Sequence, residues 1–121
     1  MTRLFILIKL IYEKLGKYDV NLNIVKHEVK DDIEYFDAEI TIPEKDLFIE
    51  IREYLVKGKI VSYGYYLRMR DYMEWWDNRP HHPEIGTYPD HKHIDGKVEP
   101  LHNPSFEAFI EHVVEIIKKR Q

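Results

Sequence analysis

The stretch IEYFDAEITIPEKDLFIEIREYLVKGKIVSYGYYLRM, residues 33–69, decides the fold. Phe36, Ala38, Ile40 and Ile42 fall on one side of a period-two chain, and Tyr35, Asp37, Glu39 and Thr41 fall on the other. That alternation predicts a strand with one buried face. Pro43 to Asp46 is turn chemistry, after which Leu47, Ile49 and Ile51 resume the alternation. The phase slips near Glu53, as a bulge would make it do. Lys57-Gly58-Lys59 closes a hairpin into a third strand, with Val61, Tyr63, Tyr65 and Leu67 on one face and both tyrosines assigned to the core. Links this short join antiparallel neighbours, because a parallel pair needs a crossover of a dozen residues or more.

Outward from this stretch, Leu22 to Val29 alternates loosely before a turn at Asp31-Asp32, and Arg70-Asp71 turns the chain into YMEWW. Four to five strands result. Leu4, Leu7, Ile8, Ile11 and Leu15 share one helical face, so residues 3–15 form a helix that Gly16 stops. Phe5 and Ile6 lie off that stripe. The expectation is that this apolar first turn is buried within the monomer, the other use being contact with a second subunit of a homodimer. At the far end Asn103 is placed as a helix cap with Pro104 in the first position, and Phe106, Phe109, Ile110, Val113, Ile116 and Ile117 form the apolar stripe. Glu107 and Glu111 come early and Lys118, Lys119 and Arg120 late, as the helix dipole favours. The predicted class is α+β: a single domain, 1–121, with an antiparallel β-meander of four to five strands flanked by an N-terminal and a C-terminal α-helix.

Composition narrows the function. The 121 residues are 44% apolar and 33% charged, as a folded chain requires. The absence of cysteine removes disulfides, thiolate nucleophiles and sulfur-ligated zinc, and agrees with a reducing cytoplasmic setting. The run LFILIKLIY is interrupted by Lys9, is too short to span a bilayer and lacks a small-residue cleavage site, so no membrane segment and no signal peptide are expected. A net charge of −4 argues against a surface coated for nucleic acid. The charge is uneven, however. Residues 31–53 are mostly acidic, whereas Lys57, Lys59, Arg68, Arg70 and Arg79 gather toward a histidine-rich loop.

That loop, WWDNRPHHPEIGTYPDHKH at residues 75–93, holds four of the seven histidines, three of the six prolines and both tryptophans. Arg79 and His82 each precede a proline and are pushed to extended backbone, while Pro80, Pro83 and Pro89 stiffen the segment. Neighbours in an extended chain diverge, so His81 and His82 do not both serve one site. His91 and His93 project together if Lys92 lies on a strand, joined by one of the first two. Imidazoles titrate near neutrality, so Asp77, His81, His82, His91 and His93 are candidate catalytic residues for acid-base cleavage of RNA without a resident cofactor. Arg79, Lys92 and Asn78 are then the candidate substrate-binding residues. The alternative cofactor is a divalent metal, zinc, nickel or manganese, on Asp77, His81, His91 and His93. A non-enzymatic interaction protein remains a third reading, in which Asp77 and Asn78 tie down the loop backbone and the histidines pack with Trp75, Trp76 and Tyr88. His27 and His112 are isolated and expected to face solvent, and His102 is assigned to a turn.

The loop, preceded by GKIVSYGYYLRMRDYMEW, resembles the TumE-type toxin family of prokaryotic toxin-antitoxin systems. The matching features are Trp76, Asp77 and Asn78, the string Pro80, His81, His82 and Pro83, the step Thr87, Tyr88 and Pro89, and His91, Lys92 and His93. The likeness extends over about residues 33–118, closing helix included. It implies a small cytoplasmic toxin of a type II module neutralised by a neighbouring helix-turn-helix antitoxin, with ribonuclease action as the expectation for toxins of this size. Two positions depart from the pattern: Arg79, where small residues are frequent, and Asp90, where another histidine is common. The second leaves one imidazole fewer for a metal or a proton relay.

Overall fold

A computed structural model describes residues 2–120. The order is α1 (Arg3–Leu15), β1 (Asn21–Lys30), β2 (Ile33–Ile42), a 3-10 turn (Pro43–Lys45), β3 (Leu47–Val56), β4 (Lys59–Met69), β5 (Tyr72–Asp77), β6 (His91–Ile94), β7 (Lys97–Pro100) and α2 (Phe106–Lys119). Among the described residues seven strands form one antiparallel sheet in sequential order. The α+β class stands, and the expected four to five strands are corrected to seven. The two additional strands are four residues each and join at Asp95 (φ 50°) and Gly96 (φ 76°). Lys57 (φ 51°) and Gly58 (φ 76°) make the same kind of turn between β3 and β4. Positive φ at both central residues matches the twist of a two-residue hairpin.

Both helices lie on one face of the sheet. Leu4, Leu7, Ile11 and Leu15 of α1 and Phe106, Phe109, Ile110, Val113, Ile116 and Ile117 of α2 are buried with Phe36, Ala38, Ile40, Ile49, Ile51, Tyr65, Leu67 and Trp76. Phe109 seals the middle, its ring 5.3 Å from those of Tyr65 and Trp76. Residues of opposite parity make the other, open face. There the register aligns Asp37, Arg52, Gly64, Asp77 and His91 in a row across five strands.

Three local expectations change. The strand phase does not slip at Glu53: β3 alternates throughout, and Glu53 sits on the core face at 1% exposure. Its carboxylate is satisfied there by Arg3 Nε at 2.8 Å, Arg3 Nη2 at 3.2 Å and the Tyr65 hydroxyl at 2.5 Å. The irregularity belongs to β4, where Ser62 faces Tyr54 and Ile60 faces Leu55, leaving Val61 unpaired and exposed. Helix α2 is capped by Ser105, whose hydroxyl accepts from Ala108 N at 3.0 Å; Asn103, at φ 50°, lies outside the helix. Phe5 and Ile6 are 56% and 41% exposed, so the apolar first turn of α1 is not covered within the monomer.

That first turn is capped from a distance. Thr2 supplies no side-chain bond, and the Glu34 carboxylate of β2 accepts instead from Arg3 N at 2.9 Å and Leu4 N at 3.2 Å. His27 Nε2 lies 2.9 Å from the same carboxylate, which makes His27 a half-buried partner and not the solvent-facing residue expected. Burial pushes the Glu34 carboxyl up, but the contacts with His27 and the two backbone amides outweigh it and hold the group below 4.5. Glu34→Ala is expected to cost about 1–2 kcal/mol, the scale of a lost helix cap, read as a lowered midpoint in urea with an unchanged slope.

Candidate functional site

Asp77 ends β5 and His91 begins β6 directly opposite it, so the loop of residues 78–90 leaves and returns at one point on the open face. The loop is pinned at several places. Asn78 Oδ1 accepts from Tyr63 N at 3.1 Å and its Nδ2 donates to Val61 O at 3.0 Å, which satisfies the β4 backbone beside the bulge. Asp77 Oδ1 accepts from Arg79 N at 2.9 Å. Thr87 Oγ1 donates to Asp90 O at 2.7 Å and accepts from Leu101 N at 2.9 Å. The Tyr63 hydroxyl donates to Asp90 Oδ1 at 2.8 Å, and burial first and this contact second raise the Tyr63 phenol far above its ordinary range. Asp90, the departure from the family pattern, therefore anchors the loop to Tyr63.

Three imidazoles converge beside Asp77. Ring centroids are 4.9 Å apart for His91 and His93, 5.0 Å for His82 and His91, and 5.6 Å for His82 and His93. Their ligand-capable nitrogens all lie within 4.8 Å of one another. The expected pairing of His91 with His93 is present because β6 alternates, and His82 is the loop histidine that joins them. His81 is exposed and outside the cluster, and the three side chains close enough together to share one ion are His82, His91 and His93. Lys92, between the two histidines, falls on the helix-bearing face opposite Trp76, away from the cluster. His102 is exposed on the approach to α2.

Each imidazole has a distinct setting. His91 is 2% exposed, with Nδ1 2.9 Å from the Pro89 carbonyl and Nε2 3.1 Å from Asp77 Oδ1. A carbonyl only accepts, so Nδ1 carries hydrogen, and a proton or another cation on Nε2 is what makes the Asp77 contact attractive. His93 stacks on Trp75, centroids 4.4 Å apart and planes 15° from parallel, with Nε2 4.0 Å from Asp77 Oδ2. Burial first and the neighbouring His91 second hold its pKa below the usual 6.5, with Asp77 pulling the other way. His82 is half-buried at the rim, its Nδ1 3.2 Å from Glu84 Oε1. A ring whose pKa is lowered, a ring tied to a carboxylate and a ring beside an exposed carboxylate can exchange protons with a bound substrate, or the three rings together can surround a cation.

Sequence reasoning missed Arg52 and Gly64, which the register sets beside Asp77 on the same row. The available signal was a glycine inside a strand, which marks a place where something approaches closely.

Among the described residues no helix is long and apolar enough to cross a membrane. No curated protein and no solved structure matches the chain. A family model described as "Toxin TumE" matches residues 9–121, a span that holds the whole sheet, the histidine loop and the closing helix, and the chain belongs to this toxin family.

Proposed function

We propose that this toxin arrests growth by cleaving RNA at the centre formed by Asp77, His82, His91 and His93. The observation that carries the reading is the convergence of three imidazoles at the mouth of a pinned loop, two of them facing the Asp77 carboxylate. His93, kept neutral, takes the proton of a ribose 2′-hydroxyl as that oxygen attacks the adjacent phosphorus. His82, with Nδ1 3.2 Å from Glu84 Oε1, gives a proton to the departing 5′ oxygen. His91, fixed by Asp77 and the Pro89 carbonyl, offsets negative charge on the phosphorane. The products are a 2′,3′-cyclic phosphate and a free 5′-hydroxyl. The module it serves is of type II, its antitoxin partner of the helix-turn-helix kind, and its place of action the cytoplasm. A homodimer contact would use the exposed Phe5 and Ile6.

A second reading rests on one contact. A metal-bound histidine usually donates its remaining N–H to a carbonyl or carboxylate, and His91 Nδ1 does so to Pro89. His82, His91 and His93 would then hold zinc, nickel or manganese, with the Asp77 carboxylate beside two of them.

Incubation of purified, untagged protein with RNA tests both. Cyclic phosphate ends, insensitivity to chelator and protection of the cut site by a 2′-deoxy substitution are expected. Loss of cleavage on chelation, together with stoichiometric metal by elemental analysis, would favour the second reading. RNA left intact by a preparation that arrests growth would overturn cleavage altogether.

A further inference from the structure

Two hollows on the open face meet at Arg52 and Gly64. One, of about 210 Å³, runs past Glu50, Tyr66 and Trp75 to Asp77. The other, of about 110 Å³, runs toward Tyr54, Asn78 and Arg79. Arg52 is half-buried at their junction, and among the described residues it forms no salt bridge. A guanidinium drawn partly out of water without a carboxylate partner is costly unless a ligand completes it. Among the described residues neither Asp37, its register partner, nor Glu50, which lines the same hollow, comes within salt-bridge distance of it.

Gly64 is what gives Arg52 its position. A Cβ at residue 64 would stand 3.3 Å from Arg52 Nη2, so the guanidinium lies over the bare backbone of β4 at the residue paired with Asp77 of β5. Beside it runs an aromatic row: Phe48 and Tyr66 with centroids 6.1 Å apart, Tyr66 and Trp75 at 6.2 Å, then Trp75 stacked on His93. A planar cation that forks onto phosphate oxygens, next to flat aromatic surfaces that end at a histidine, matches the two halves of a nucleotide.

We propose that this groove is a nucleotide-binding site, with the phosphate on Arg52 over Gly64 and the base against Tyr66 and Trp75, so that the adjoining ester reaches the histidine centre. The assignment rests on the reading of that centre as a nuclease, and it adds the residues that hold the substrate. The nucleotide can belong to an RNA strand or be free, and the two sources share the same recognition chemistry.

The test is binding of a fluorescent 2′-O-methyl RNA oligonucleotide, which lacks the attacking hydroxyl and is not cut, with adenosine monophosphate as competitor. Arg52→Gln is expected to weaken binding at least about tenfold and to shallow its salt dependence by about one phosphate contact. Arg52→Lys should fall between, because an ammonium keeps the charge and loses the fork. Gly64→Ala, which displaces the guanidinium without removing it, should weaken binding as well. Arg52 lies on the open face, and unchanged circular dichroism of each variant excludes unfolding as the cause. Competition by the mononucleotide at similar affinity identifies a free nucleotide as ligand, and its failure identifies a strand. Equal binding by Arg52→Gln and the parent, or no binding of either probe by the parent, overturns the proposal. Binding through Arg52 with RNA left uncut would sink the cleavage reading alone. Cleavage that persists unchanged in Arg52→Gln would sink this one alone.

Discussion

Expression of the His91→Ala plus His93→Ala double variant is expected to leave growth unimpaired, with RNA cleavage lowered by about 10²–10⁴-fold or more, the usual contribution of general acid-base groups. The fold should survive, since both rings project onto the open face and the core lies on the other side of the sheet. Each single variant should come close to the double, because residues that act as one unit are not additive. Asp77→Asn is a finer probe. Its amide oxygen can still accept from Arg79 N, so the loop entry is retained, but the negative charge 3.1 Å from His91 Nε2 is gone. The pH profile carries an independent signature. With His93 held below 6.5 by burial and by His91, the acid limb of the rate should lie below the ordinary histidine value, because a base must be deprotonated to act. Undiminished toxicity of the double variant at equal protein levels would remove the histidine centre from the mechanism.

How much of this was legible in the sequence follows from where the information resides. The alternation in β2 and β3 is ten residues long, and a one-residue slip would turn every apolar side chain outward, so those strands could be read directly. β6 and β7 are too short for periodicity to register, and their one local signal is the turn pair Asp95-Gly96 between them. Glu53 broke the apolar pattern although it lies in phase, because a charge on the core face is tolerable only through partners 12 and 50 residues away. The pairing of His91 with His93 followed from strand geometry alone. The choice of His82 over His81 did not, since it depends on how the loop folds back. Arg52 and Gly64 are separated from the histidines in sequence and joined to them only by register.

Glu74 is the extreme case of such a nonlocal partner, and its replacement carries the largest expected loss of stability. It is fully buried on the core face of β5, where Trp76 Nε1 at 2.7 Å, His112 Nε2 at 2.8 Å and the Tyr72 hydroxyl converge on one carboxylate. His112, expected to face solvent, instead links α2 to the sheet from 38 residues away. Removing the acceptor strands three polar groups at once, and Glu74→Ala should cost about 3–5 kcal/mol, a large share of the roughly 5–15 kcal/mol that holds a domain together. Glu74→Gln should cost less, since an amide oxygen still accepts while its NH₂ faces donors. Burial pushes the Glu74 carboxyl up, yet the bonds from His112, Trp76 and Tyr72 outweigh it and hold the group below 4.5. A carboxyl depressed by folding stabilises the native state above its unfolded pKa and loses that contribution as pH falls through the folded value. The gap between parent and Glu74→Ala should therefore be full at pH 7, still present near pH 4.5 and smaller in more acid solution. Denaturant titrations across that range measure it, and equal stability of the two proteins at pH 7 would show that the cluster does not hold α2 to the sheet.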